Sequence, residues 1–200
     1  MRHTFALPAL CALSCHHSFV PTERMQEVDE SAINVFDQRW HPLLHRTPIY
    51  TSDCKEKDNK NVLGYTQNVD GRDVVVICDS GVGNLTVLEH EFFHVITDNG
   101  GFHIDRFYSL TQRWMRGLDK LNPAKNCIQG LYIIKDGKFI YDPKKAYYKQ
   151  REGDEEIAYL GACITSATGS RQRELVRRVP DEILHLYKGV IREEILDLDE

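Results

Sequence analysis

Hydrophobic positions along the chain follow two spacings, one typical of strands and one typical of helices. Residues 73–78 (DVVVIC) are a short β-branched run next to turn-forming positions, which predicts a strand. Residues 131–142 contain two apolar runs separated by Asp-Gly, the pair that tight hairpin turns favour, and predict a β-hairpin. Between residues 21 and 48, apolar side chains recur at roughly helical spacing, which predicts a helix that a proline ends.

Helical spacing dominates the rest of the chain. A helix is predicted from about Asn84 to Thr97, because Asn84 is a favourable N-cap residue and Asn-Gly-Gly follows the last turn. The remaining predicted elements are helices at 106–122, at 153–165 and beyond 167 with a break at Pro180, and loops at 52–61 and 64–71. Together the patterns predict an α+β domain that is rich in helices and has a small mixed sheet.

Composition narrows the class of protein. Hydrophobic residues make up 42% and charged residues 28% of the 200 positions, a balance typical of one globular domain. The formal net charge of −5 argues against the concentrated basic surface that nucleic-acid binding requires. No apolar run approaches the roughly 18–20 residues of a membrane-spanning helix, so no membrane partner is expected.

The first 20 residues differ in character from the rest of the chain. They begin with a basic residue and continue with an apolar stretch, a pattern that favours a leader segment. We expect residues 1–20 to be a leader or a disordered N-terminus, and residues 21–200 to be a single monomeric domain.

Six cysteines are present, and no two have the Cys-x-x-Cys spacing of a structural zinc site. Cys78 and Cys163 lie in apolar runs and are interpreted as buried free thiols. Free thiols favour a reducing compartment as the place where the protein acts.

The sequence HEFFH, residues 90–94, is the strongest indication of chemistry. Residues four apart lie on one face of a helix, so His90 and His94 can present two imidazoles to one metal ion. Two imidazoles and a carboxylate suit Zn²⁺ and leave a position open for water. Glu91 is offset along the helix and can act as the general base that takes a proton from this water. The spacing is that of a zinc peptidase.

Two histidines four apart can also occur by chance. The residues around them argue against chance, because most are bulky and apolar and predict a buried helix. Buried polar side chains need partners, and a metal ion supplies them. The preceding strand, residues 73–78, is interpreted either as the edge strand that binds an extended substrate or as an ordinary core strand.

The third ligand is not fixed by the motif. His103, Asp98 and Asp105 follow closely, but a carboxylate from a second helix is favoured. Glu155 and Glu156 lie in the first turn of the helix predicted at 153–165, where acidic residues also complement the helix dipole. Glu156 is preferred as the ligand because the apolar residues that follow it suggest that its side faces inward.

HEFFH followed by EEIAYLG resembles the NleD-like family of bacterial effector zinc metallopeptidases. That family combines HExxH with a later helix of the form Glu-x-x-x-x-Gly, which Glu156 and Gly161 match. The resemblance covers roughly residues 70–190. It implies a zincin-like fold with the ligand arrangement of gluzincins. It also implies a secreted protein that cleaves a host signalling protein in the host cytosol.

The sequence therefore predicts a zinc-dependent endopeptidase with His90, His94 and Glu156 as ligands and Glu91 as general base. The alternative is a zinc-binding regulatory or interaction protein that has the same motif and no general protease activity. A second donor that stabilises the transition state is also expected, and the candidates for it are Tyr147, Tyr148, His103 and Tyr187.

Overall fold

The computed structural model describes residues 29–54, 62–117, 122–135, 138–142 and 153–197. The leader predicted at 1–20 lies outside these ranges. In chain order the helices are α1 (Glu30–Ile33), α2 (His41–Leu44), α3 (Leu85–Asp98), α4 (Ile104–Arg116), α5 (Pro123–Gln129), α6 (Asp154–Ser166), α7 (Gly169–Arg178), α8 (Asp181–Tyr187) and α9 (Glu193–Leu196). The strands are β1 (Ile49–Ser52), β2 (Gly64–Val69), β3 (Arg72–Cys78), β4 (Tyr132–Lys135) and β5 (Lys138–Tyr141). The structure confirms the α+β class and the small mixed sheet.

The three-stranded sheet has the order β1-β3-β2. β3 pairs in parallel with β1, with Ile49 opposite Val75, and antiparallel with β2, with Gly64 opposite Ile77. The strand predicted at 73–78 is confirmed, but it is the central strand and not an edge. The loop predicted at 64–71 is wrong. Only Asp70 and Gly71 form a turn there, both with positive φ, and the preceding residues form edge strand β2.

The helix predicted over 21–48 is also wrong where the structure describes it. Residues 29–48 form two single-turn helices, α1 and α2, with a non-helical stretch between them. Asp37 accepts hydrogen bonds from the backbone and the side chain of Arg39, and this local bonding competes with a continuous helix. Phe36 pairs instead with Ile191 across an isolated β-bridge. The apolar side chains therefore reach the core from irregular backbone.

The helices predicted at 84–97, at 153–165 and beyond 167 are confirmed, whereas the helix predicted at 106–122 ends at Arg116 and most of the loop predicted at 52–61 lies outside the described residues. Asn84 caps α3 by accepting a hydrogen bond from the Thr86 backbone N–H, and Gly100 follows the helix with a φ of +83°. The hairpin is β4 and β5, with its turn outside the described residues. Within the part of the chain described, no helix is long and apolar enough to cross a membrane.

α3 and α6 pack directly against each other. Gly161 of α6 lies against the ring of Phe93, and a side chain at this glycine would overlap that ring. At the other end of the contact, the hydroxyls of Thr165 and Ser166 donate hydrogen bonds to the buried carboxylate of Glu89, at 2.6 and 2.9 Å. The steric fit and these hydrogen bonds fix the rotation of α6, and the first turn of α6 therefore lies beside the middle of α3.

Two disulfides contradict the prediction of free thiols. Cys54, just after β1, bonds to Cys78 at the end of β3, and Cys127 of α5 bonds to Cys163 of α6. The partners are 24 and 36 residues apart in sequence, and only the fold brings them together. The argument for a reducing compartment therefore fails.

Candidate metal centre

The middle of α3 presents two imidazoles to one point. His90 and His94 are one turn apart on the helix, and their Nε2 atoms are separated by 3.2 Å. Both side chains are largely shielded from solvent, with 16% and 11% of their surface exposed. The helical spacing of the motif thus produces a convergent pair of nitrogen donors in a sheltered position.

The first turn of α6 adds a carboxylate to this pair. Glu155 Oε2 lies 3.5 Å from His90 Nε2, and Glu155 Oε1 lies 3.9 Å from His94 Nε2. The three side chains each offer one ligand atom within 4.8 Å of the others. Burial alone would raise the pKa of Glu155, but the hydrogen bond from His90 and the charges of both histidines hold this pKa below its usual value. Glu155 is therefore held in the charged form that binds a cation.

Glu156, the favoured third ligand in the sequence, is not in this group. Successive residues on a helix point about 100° apart. Glu156 is therefore fully buried on a different side of α6, where its carboxylate accepts hydrogen bonds from Tyr132 and Gln112. The side chain of Glu156 is buried, as the sequence predicts, but it points into the hydrophobic core and not toward the histidines. The carboxylate that could act as the third ligand is that of the alternative, Glu155.

Asp154 contacts His94 on the side of the ring that faces away from His90 and Glu155. Its Oδ2 lies 2.9 Å from His94 Nδ1. A neutral His94 that donates its Nδ1–H to Asp154 carries its free lone pair on Nε2, which faces His90 and Glu155. Burial lowers the pKa of His94, but the charge and hydrogen bond of Asp154, with the charges of Glu155 and Glu91, outweigh burial and raise this pKa to about 10. A metal ion that binds Nε2 must therefore displace the proton on this nitrogen.

Replacing Asp154 by asparagine is expected to weaken zinc binding by about 10- to 100-fold. An amide can still accept a hydrogen bond from Nδ1–H, but it lacks the charge that makes the imidazole a stronger donor. Competition against a chelator of known affinity measures the change. Asp181, which is exposed in the first turn of α8, gives a matched Asp→Asn control that should bind zinc like the wild type. Equal affinity in the two variants would contradict the role of Asp154.

The donor set fits a zinc ion. Ligand atoms bound tetrahedrally at about 2.0–2.1 Å are separated from one another by about 3.3–3.4 Å. The two Nε2 atoms are 3.2 Å apart, and the two carboxylate oxygens of Glu155 lie 3.5 Å from His90 Nε2 and 3.9 Å from His94 Nε2, respectively, which are distances near that value. Two nitrogens and one carboxylate oxygen are also the chemical types that catalytic zinc sites use. These residues could therefore hold the ion with small side-chain adjustments.

Glu91 lies on the adjoining face of α3, under edge strand β2. Thr66 of β2 donates its hydroxyl to Glu91 Oε2 at 3.0 Å, and Gly64 is so close that a Cβ there would lie 3.1 Å from Oε1. Burial raises the pKa of Glu91, against the opposing effects of His90, His94 and Thr66. A carboxyl group with a raised pKa is suited to accepting and returning a proton near neutral pH.

Other residues considered from the sequence lie elsewhere. His103 precedes α4 as its exposed N-cap residue, and Tyr187 is fully buried with its hydroxyl bonded to the carbonyl of Ile157. Neither His103 nor the exposed Asp98 belongs to the group formed by His90, His94 and Glu155. Tyr147 and Tyr148 are outside the described residues.

Sequence reasoning missed Thr66, Asp154 and Tyr159. An acidic residue at position 154 is explained by the helix dipole alone, so it did not indicate a role in the site. Its position next to Glu155 is the signal that could have indicated one. Tyr159 of α6 lies one turn after Glu155, and its ring contacts the ring of His90 with 4.5 Å between centroids. Its spacing of four residues from an acidic ligand candidate is the signal that could have found it.

Comparison with known proteins gives no match: no protein-family model, no curated protein and no solved structure matches this chain.

Proposed function

We propose that this protein is a zinc-dependent endopeptidase in which His90, His94 and Glu155 hold the ion and Glu91 is the general base. One observation carries the proposal: two imidazoles from one helix and a carboxylate from a second helix each offer a ligand atom within 4.8 Å of the others, and these are the ligand types of catalytic zinc sites. A buried carboxylate with a raised pKa lies next to this group on the same helix. Such a combination suits hydrolysis better than a purely structural zinc site, whose four positions are filled by protein.

Zinc supplies Lewis-acid activation of a water molecule and of a carbonyl group when it is bound. Glu91 accepts the proton that this water loses and can pass it to the nitrogen of the departing amine. Thr66 donates a hydrogen bond to Oε2 of Glu91, and we assign the transferred proton to the other oxygen, Oε1. Gly64 has no side chain and leaves Oε1 approachable. Asp154 keeps His94 in the tautomer whose Nε2 can bind the ion.

The surroundings of Glu91 favour an extended peptide as substrate. β2 pairs with β3 along one edge, and among the described residues no strand pairs with its other edge. An extended peptide can add to such an edge as a further antiparallel strand through its main-chain groups. Because β2 lies against Glu91, a peptide bound along this edge would run close to the Glu91 carboxyl group. The combination of active-site helix and neighbouring edge strand supports a zincin-like arrangement.

The disulfides bear on where the protein would act. The resemblance implied secretion and action in a host cytosol, but cytosolic thiols keep cysteines reduced. Both disulfides hold elements of the site, since Cys78 ends β3 and Cys163 lies on α6. We therefore propose a secreted enzyme that works in an oxidising environment on an exposed segment of another protein.

The two neighbouring glutamates provide the test of the metal site. Purified wild-type protein is expected to bind about one zinc ion per chain, measured by elemental analysis after dialysis. Glu155→Gln should weaken zinc binding by more than the 10- to 100-fold typical of a supporting residue. Glu156→Gln, a change of the same size one position away, should leave zinc binding unchanged.

Two results would overturn the proposal. The first is a wild-type protein that stays free of zinc when zinc is supplied. The second is a loss of zinc in Glu156→Gln that does not occur in Glu155→Gln. Zinc binding without any cleavage that depends on Glu91 would instead support the alternative, a zinc-binding regulatory protein.

A further inference from the structure

Tyr159 is placed at the mouth of the candidate metal centre. It lies on α6 four residues after Glu155, so both side chains project from the same face of the helix. Its ring meets the ring of His90 edge to face, at an interplanar angle of 71°. Although it touches the half-buried His90, Tyr159 is 45% exposed. The residue therefore contacts the site on one side and solvent, where a substrate would arrive, on the other.

The proposed reaction needs a group of this kind. When a peptide carbonyl is attacked, its oxygen becomes negatively charged, and hydrogen-bond donors aimed at this oxygen usually contribute strongly to the rate. Glu155 and Glu91 are carboxylates that cannot donate in their charged form. His90 and His94 would use their Nε2 atoms to hold the ion. A hydrogen-bond donor to the carbonyl oxygen would therefore have to come from another residue at the edge of the site.

We propose that Tyr159 is a catalytic residue whose phenol O–H donates a hydrogen bond to the carbonyl oxygen of the scissile peptide bond. The inference rests on the zinc-peptidase function proposed for His90, His94, Glu155 and Glu91. The phenol O–H bond stays intact, because the hydroxyl donates a hydrogen bond and transfers no proton. A tyrosine is protonated near neutral pH and is therefore available as a donor there.

The contact with His90 allows a different, structural role. The Tyr159 ring could simply hold the His90 ring in place, and that role would need the aromatic ring without the hydroxyl. Tyr159→Phe separates the two roles, because it keeps the ring contact and removes only the donor. A structural ring would be preserved in the phenylalanine variant, with no change in rate or in zinc binding.

The experiment uses the full chain loaded with zinc and a peptide that the wild type cleaves in a Glu91-dependent manner. Tyr159→Phe is expected to lower kcat by about 10²- to 10³-fold with KM nearly unchanged. Its zinc affinity should equal that of the wild type. Binding of a dipeptide phosphonamidate, which mimics the charged tetrahedral oxygen, should weaken by a similar factor. Tyr50→Phe, a half-buried tyrosine on the opposite edge strand β1, is the control and should behave as the wild type.

Each other outcome has a definite meaning. Wild-type kcat and phosphonamidate affinity in Tyr159→Phe would overturn the role of Tyr159 and leave the peptidase function standing. A loss of zinc affinity in the folded variant would also overturn it, because the hydroxyl would then support the metal site and not the reacting carbonyl. Tyr159→His restores a hydrogen-bond donor and should have a higher kcat than Tyr159→Phe. A kcat as low as that of Tyr159→Phe would argue against the hydrogen bond as the cause of the defect. A zinc-loaded wild type without Glu91-dependent cleavage would overturn the peptidase function and this inference together.

Discussion

Replacing Glu91 by glutamine is expected to lower kcat by about 10²- to 10⁴-fold while the protein keeps its zinc. The amide has nearly the same shape as the carboxyl group, and its oxygen can still accept the hydrogen bond from Thr66. It cannot accept the proton of the attacking water. A proteome-wide search for new protein termini, comparing wild type with Glu91→Gln, would measure the loss and identify substrates at the same time.

Glu89 offers a matched control for this experiment. It is a buried carboxyl group two residues away on α3, its pKa is also raised by burial, and it is bonded to Thr165 and Ser166 and not to the site. Glu89→Gln keeps an oxygen that can accept the hydrogen bonds from Thr165 and Ser166, so the rotation of α6 is preserved and cleavage should stay close to the wild-type rate. Undiminished cleavage by a zinc-loaded Glu91→Gln variant would show that another group accepts the proton, and the proposed mechanism would be wrong.

Reduction of both disulfides is expected to lower the free energy of unfolding by about 7 kcal/mol. The chain-entropy relation gives about 3.5 kcal/mol for the link across 24 residues and about 3.8 kcal/mol for the link across 36 residues. Natural domains have a total of roughly 5–15 kcal/mol, so a loss of this size removes about half or more of the stability. Urea unfolding with and without reductant measures the difference.

Two variants divide this loss between the disulfides. A protein with both Cys127 and Cys163 replaced by alanine should show about half of this loss of unfolding free energy. Replacing Cys54 and Cys78 should account for the other half. Mass spectrometry after alkylation without reductant should find these four cysteines unmodified. If all four react and the unfolding curve does not depend on reductant, the cysteines are free and the proposed oxidising environment has no support.

The parts of the fold that could be predicted are those decided within a single element. α3 begins at an N-cap residue, ends at glycine and carries its two histidines one turn apart, and all three features are local. β3 could be predicted because a run of β-branched residues has few alternatives to a buried strand. For the same reason His90, His94 and Glu91 were identified together, since one helix sets their geometry.

The features that could not be predicted depend on how elements meet. Glu155 and Glu156 are equally placed along the chain, and only the rotation of α6 against α3 decides which of them faces the histidines. That rotation is set by the contact of Gly161 with Phe93 and by the hydrogen bonds to Glu89, which lie along the contact between the two helices. The edge position of β2 and both disulfides likewise arise from pairing across the fold.

The close approach of β2 to the proton acceptor has a consequence for tracing the history of this protein. A methyl group at position 64 would already lie 3.0–3.2 Å from Val87, Glu91 and the Val76 carbonyl, and a longer side chain would fill the space beside Oε1. Such a replacement leaves the proposed zinc ligands untouched. In genomes, a descendant that retains HExxH but carries a bulky residue here would be recognisable as a pseudoenzyme, one that still captures the cation after losing turnover.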